Sequence, residues 1–285
     1  MEEFTSSSKR MLRLLAALDD VALSPSPVLI RGEMGSGREY IARKIHEKRG
    51  GGVTFVPVKC LGAGGNFLSG LGLEGGNRAC TLFLDGLQAL ARDAQDALHE
   101  FLSGESHDGI KLLASASGSL DDVVLRGEFR RDLLVRLDLI SVTCPPLRER
   151  AEDIIPFGVL FLARYAREMN RDVRGFSPAA IKKLEAYHWP GNIRELRNVI
   201  ERAVLLCRGG RLEEEDIVLS VGRTSSDHKA VPAGLGLKEA ANLFKKSYIE
   251  DTIAASAGNK AEAARRLGLE RTYLFALIKD LGVDC

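Results

Sequence analysis

Two stretches of this chain carry residue types that could do chemistry. The first, VLIRGEMGSGREY from Val28 to Tyr40, places a glycine-rich turn between an apolar run and a segment of helical period. In that arrangement backbone N–H groups and the positive end of a helix converge on one point, which suits a phosphate. Gly32 and Gly37 have the five-residue spacing of the loop G-x-x-x-x-G-K-[ST], but Arg38 and Glu39 stand where a lysine and a hydroxyl residue belong. Arginine keeps the charge on a larger planar fork and does not reproduce the contact a compact ammonium makes between β- and γ-phosphates. Taken alone, the segment also fits a glycine turn that binds nothing. The second stretch lies near the C-terminus. Asn259 caps a helix with Glu262 three residues on, Gly268 and Leu269 make a tight turn, and Leu274, Leu277, Ile278 and Leu281 form the apolar stripe of a following helix. Two short helices joined by a tight turn form a helix-turn-helix. Between Asn259 and Lys279 there are five Lys or Arg against two acids, a local excess that could contact nucleic-acid phosphates. A hairpin used only for dimerisation is the alternative.

The elements that must position these residues follow from periodicity. Short β-rich runs at 28–31, 53–58, 81–85, 110–115 and 139–143 alternate with helical-period stretches, which predicts a parallel sheet with crossover helices. From about residue 151 the pattern is purely helical: Ile154 to Met169, Pro178 to Tyr187 and Ile193 to Cys207, with a short helical turn at Glu213 to Ile217. Residues 222–236, GRTSSDHKAVPAGLG, read as a linker. The expected organisation is an α/β unit over 1–150, a helical lid over 151–221, the linker, and a small all-α domain over 237–285.

Composition bounds the function. Hydrophobic residues at 45% and charged residues at 28% exclude a disordered or collagen-like chain. Forty Lys plus Arg against 39 Asp plus Glu leave a formal charge of +1, so any nucleic-acid role comes from local patches and not from the whole-chain field. Five scattered cysteines (Cys60, Cys80, Cys144, Cys207, Cys285) show no C-x-x-C or Cys/His ligand spacing, and no apolar run approaches a bilayer-spanning length. A cytoplasmic protein without a membrane role is expected.

GEMGSGRE, FVPVKC, TLFLDGLQAL, GEFRRDLLVRLDLI, PPLRERAEDI and WPGNIREL, in this order over about residues 5 to 220, closely resemble the successive motifs of the AAA+ domain of sigma-54-dependent transcription activators, the bacterial enhancer-binding proteins. The resemblance implies an AAA+ P-loop parallel sheet with a helical lid. It also implies a nucleotide site built from Gly32, Gly35, Ser36, Gly37, Arg38, Glu39, Asp85 and Arg194. ATP and Mg²⁺ are the implied cofactors, with Asp85 as the Mg²⁺ ligand of the Walker B strand and Arg194 as the lid arginine that reaches the γ-phosphate. Arg130 and Arg136 match the arginines a neighbouring subunit inserts into the next site, which implies a homo-oligomer of at least two chains. Ion pairs with Glu128, Asp132 or Asp138 are the alternative use of both. In WPGNIREL, Asn192 is placed to cap the next helix, with Glu195 at the capping-box position. The C-terminal segment resembles the Fis-type domain of the same family. This implies double-stranded DNA as partner, contacted by Lys260, Arg265, Arg266, Arg271, Thr272, Tyr273 and Lys279.

Several departures shape the expectation. The family's catalytic Glu after Asp85 is Gly86 here, and glycine can neither accept a proton nor orient a water. The A-T-N of the phosphate-sensing relay is replaced by Ala114, Ser115, Ala116 and Ser117, and the glycine-rich interval 61–80 contains nothing like the GAFTGA motif that grips the sigma factor. No receiver or ligand-sensing domain is expected ahead of the AAA+ body. The reading is a sequence-specific DNA-binding regulator whose AAA+ body serves assembly and binds ATP weakly, with hydrolysis and sigma-54 remodelling lost. A regulatory partner subunit of an intact AAA+ activator is the first alternative, an active ATPase activator the second.

Overall fold

The computed structural model describes residues 6–50, 52–71, 79–104, 109–118, 120–207 and 209–219, together with ten isolated positions between 246 and 278. The chain divides into two compact units, Met1–Val218 and Leu219–Cys285.

The first unit is built on a five-stranded sheet. Its strands are β1 (Val28–Arg31), β2 (Thr54–Lys59), β3 (Cys80–Asp85), β4 (Ile110–Ala116) and β5 (Ile140–Thr143), ordered β2-β3-β4-β1-β5, all parallel. Central β3 reads as a continuous buried run because helices cover both faces. Alternate residues serve the two sides. Leu29, Leu82, Leu84 and Leu112 pack with the apolar stripes of α3 (Arg92–Ser103), α4 (Leu120–Leu125) and α5 (Arg131–Leu137). Val28, Ile30, Phe83 and Leu113 pack with α1 (Lys9–Leu23) and α2 (Arg38–Arg49). The five strands of the sequence reading form within one residue of their expected bounds.

The helical part holds α6 (Ile154–Glu168), α7 (Pro178–Ala186) and α8 (Asn192–Leu206), with α6 packed on α8. Leu196, Val199, Ile200, Ala203 and Val204 recur at helical spacing on the buried face of α8. Ser177 caps α7 by accepting the Ala180 N–H at 3.2 Å, with Pro178 at the first helical position. Residues 213–217 form a short hydrogen-bonded turn where a short helical turn was expected. Among the described residues, no helix is long and apolar enough to cross a membrane.

In the second unit, Lys246, Ile249, Thr252 and Ile253 are helical, as are Lys260, Ala264, Arg265, Leu274 and Ile278. Ile249, Ile253, Ala264 and Leu274 are buried.

Candidate nucleotide cleft

The carboxyl ends of β1 and β3 meet the lid at a cleft of about 890 Å³. In open parallel sheets this end is where ligands gather. Gly35, Ser36, Gly37, Arg38 and Glu39 form the floor, Asp85 one side, Phe157 and Phe161 an apolar wall, and Arg194 and Arg197 part of the rim. The cleft thus combines apolar and cationic side chains, as suits a base and a polyphosphate.

The loop is shaped by glycines at two points. Gly37 caps α2 in the left-handed region, φ 106°, so the backbone turns into the helix without a Cβ penalty. Gly35 has φ 76°, and a Cβ there would stand 2.4 Å from the Gly191 carbonyl oxygen. Only glycine lets the first turn of α8 close on the loop, where the Ile193 N–H donates to the Gly35 carbonyl at 3.1 Å.

The lid is locked to the loop by one asparagine. Asn192 does not cap α8 with its side chain, as the sequence suggested. It adopts φ 54°, accepts the Leu147 N–H at 2.7 Å through Oδ1, and donates through Nδ2 to Glu33 at 3.0 Å and the Met34 carbonyl at 3.2 Å. Asparagine is among the few side chains that tolerate this backbone and also hold both a donor and an acceptor. Glu195 completes the arrangement by accepting the Gly191 N–H at 2.8 Å and the Tyr187 hydroxyl at 3.0 Å. Glu33 also binds Arg148 in a two-pronged ion pair, and that guanidinium holds its carboxyl below the usual range.

Arg38 turns back under the loop. Its Nη1 donates to the Gly32 carbonyl at 3.3 Å and its Nη2 lies 3.8 Å from Asp85 Oδ1, with the side chain 11% exposed. Burial pulls its pKa below the ordinary arginine value while Asp85 opposes the shift. The same Oδ1 accepts the Ser115 hydroxyl at 2.6 Å. Gly86 follows in the left-handed region, φ 86°, its N–H on Ser115 Oγ at 3.0 Å. Ser117 donates its N–H to Gln88 Oε1 at 3.3 Å.

Three participants were missed by sequence reasoning. Arg150 is 1% exposed and donates to the Ser36 carbonyl, while its Nε and the Ser36 hydroxyl are buried without a partner. Such orphaned polar atoms on a cleft floor fit a polar ligand. Ser115, not Ser117, is the residue that grips Asp85. Asp153, fully buried, accepts the Ser6 hydroxyl at 2.5 Å and the Ser7 N–H at 2.7 Å, tying the start of the chain to the lid at the edge of the cleft. A buried arginine leaves no trace in a hydrophobic pattern. For Arg150 the usable signal was its place in PPLRERAEDI.

The structure brings together Gly32, Gly35, Ser36, Gly37, Arg38 and Asp85, with Glu39 paired to Arg43 at 2.7 Å and Arg194 exposed on the rim. Arg130 and Arg136 sit elsewhere, at α5. Arg130 is held by Asp96 and Asp132, both at 2.6 Å, while Arg136 is exposed and donates to the Leu102 carbonyl at 3.1 Å. Glu128 and Asp138 are taken by Arg126 and Arg31. Of the seven expected DNA contacts, Lys260 and Arg265 are described and helical, and Arg265 is exposed. Arg266, Arg271, Thr272, Tyr273 and Lys279 lie outside the described residues.

Family comparisons place this geometry. Residues 5–147 match the sigma-54 interaction domain, 148–233 the AAA+ ATPase lid domain and 243–274 the bacterial regulatory protein, Fis family. The chain belongs to the sigma-54 interaction domain family. It is a transcriptional regulator with an AAA+ body and a Fis-type DNA-binding helix-turn-helix. Relatives in this family include the alginate biosynthesis transcriptional regulatory protein AlgB of Pseudomonas aeruginosa, 31% identical over 98% of this chain and 67% of its own length. The regulatory protein AtoC of Escherichia coli is 34% identical over 98% and 68%. Among solved structures, NtrX from Brucella abortus in complex with ATP superposes with a TM-score of 0.65 at 28% identity, covering 99% of this chain and 70% of that one. The RuvB branch migration motor of Thermotoga maritima, 16% identical with a TM-score of 0.53, shares the fold.

Proposed function

We propose that this family member is a sequence-specific DNA-binding regulator that binds ATP in its AAA+ cleft as a structural ligand, without hydrolysing it or remodelling sigma-54 polymerase. The observation that carries the reading is the end of β3. Asp85 is engaged by Arg38 and Ser115, and the next residue, Gly86, has no side chain with which to orient an attacking water. The short glycine-rich interval after β2 supports the loss of a sigma-gripping lever. The ATP complex of NtrX supports nucleotide binding, with the phosphates on Gly35, Ser36, Gly37, Arg38 and Arg194 and the base against Phe157 and Phe161. The working units are 1–150, 151–221 and 237–285, joined by the linker 222–236. The seven DNA-contacting residues named above act in the third of these, and the protein works in the cytoplasm as an oligomer of at least two chains.

The test pairs two measurements on the purified protein. Footprinting is expected to reveal preferred duplex sites at physiological salt, while ATP turnover stays at background with and without DNA. Turnover at ordinary AAA+ rates, or opening of a sigma-54 promoter at the expense of ATP, would overturn the proposal. A second reading is favoured by Arg136, which is exposed and has no carboxylate within ion-pair distance among the described residues. On that reading this chain joins rings of an intact AAA+ paralogue. Co-purification with such an activator supports it, and exclusive self-association counts against it.

A further inference from the structure

The AAA+ fold implies a magnesium ion beside the nucleotide, and the residues at Asp85 do not fit one. Magnesium demands near-octahedral oxygen ligands at close range and keeps them rigidly placed. At the phosphate end of this cleft the Asp85 Oδ1 already accepts the Ser115 hydroxyl and faces the Arg38 guanidinium 3.8 Å away. A divalent ion on that oxygen would meet a fixed positive charge that cannot be deprotonated. The position that follows Arg38 holds Glu39, whose carboxylate is drawn to Arg43.

Cationic charge is nonetheless abundant. Eight Lys or Arg side chains against four carboxylates line the cleft. Arg38 is enclosed to 11% exposure and held between the Gly32 carbonyl and Asp85. A guanidinium presents a planar fork of donors, which matches phosphate oxygens two at a time and loses little freedom on binding when it is already fixed. Arg150 adds an unpartnered buried Nε beneath the loop, and Ser36 an unpartnered hydroxyl.

The geometry points to a nucleoside triphosphate site that works without a divalent cation, with the Arg38 guanidinium supplying the positive charge that magnesium would bring. The inference rests on the nucleotide reading above and sharpens it: the ligand is the metal-free polyanion. Asp85 then serves to aim Arg38 and holds no metal.

Calorimetric titration of the full chain with ATP, at matched ionic strength in EDTA and in millimolar MgCl₂, tests this directly. The affinity in EDTA is expected to equal that in MgCl₂ within about threefold, or to exceed it. Arg38→Ala is expected to weaken binding at least about tenfold in both buffers, the loss typical of a hydrogen bond to a charged group. Asp85→Asn retains the shape and removes the carboxylate charge that aims Arg38, and any loss of affinity is expected to be the same, within about threefold, in EDTA and in MgCl₂. A wild-type affinity that falls tenfold or more in EDTA would overturn the inference and leave the nucleotide reading standing. So would an Asp85→Asn loss confined to the MgCl₂ buffer. Absence of binding in both buffers would overturn the nucleotide reading and this inference with it. Melting temperatures of both variants separate lost binding from lost fold.

Discussion

At the scale of single residues, the cleft depends on atoms whose purpose is invisible in a one-dimensional pattern. Asn192 shows this most clearly. Read from sequence it is a helix cap, because asparagine before a helix with Glu three residues on usually is one. In the fold it is the first residue of α8, in a left-handed backbone, and its side chain reaches sideways to β1's loop and to Leu147. Asn192→Ala is expected to lower stability by about 2–4 kcal/mol, combining a buried Leu147 N–H left without acceptor and an alanine forced to positive φ. Denaturant melts of both proteins check this, and a change below 0.5 kcal/mol would mean that the lid is held by other contacts (about the scatter of neutral surface changes). The glycines of the phosphate loop were legible because their spacing is itself the signal. Arg38 was legible as a departure, but its direction was not: only the fold turns it onto Gly32 and Asp85.

At the scale of elements, the parallel sheet was legible because strands buried on both faces appear as unbroken apolar runs between helical stretches. The short turn at 213–217 was legible only coarsely, since five residues are too few for periodicity to separate a helical turn from a simple one. One strand also fastens a helix through an amine. Lys111 on β4 donates to the carbonyls of Val21, Ser24 and Ser26 at 3.0, 2.5 and 2.9 Å, closing the C-terminal end of α1, where carbonyls lack helical partners. Burial pulls its pKa down from 10.5 to about 8. The folded state therefore releases the proton at lower pH than the unfolded chain, and between about pH 8 and 10.5 it binds fewer protons. Stability conferred by this residue rises with pH across that window. Lys111→Met is expected to be destabilised by about 1–3 kcal/mol at pH 7, with the gap to the wild type widening toward pH 10. Chemical denaturation at several pH values reads the difference. A gap independent of pH would show that the amine keeps its proton in the fold.

At the scale of the whole molecule, the chain divides into two compact units. On the first unit, Arg130 is spent on Asp96 and Asp132 while Arg136 stands exposed, so the two arginines are not equivalent. Arg136→Ala is expected to lower the oligomeric state seen by light scattering, whereas Arg130→Ala changes it less than it changes the local packing of α3 and α5; equal effects would refute the distinction. On the second unit, the near-neutral chain concentrates five basic residues against two acids between Asn259 and Lys279. A patch of this kind binds any duplex through phosphates, and sequence preference has to come from the few side chains that reach base edges. A guanidinium such as that of Arg271 has the two-pronged donor set for a guanine. Arg271→Ala is expected to cost about 1–3 kcal/mol at the preferred site and little on random DNA, thus flattening specificity. Lys260→Ala, acting on a phosphate, is expected to weaken both alike and to lower the salt slope by about one. Gel shifts over a salt series with both duplexes separate the outcomes. An Arg271→Ala protein that loses the two duplexes in parallel would place that arginine on the backbone and leave base reading to its neighbours Thr272 and Tyr273.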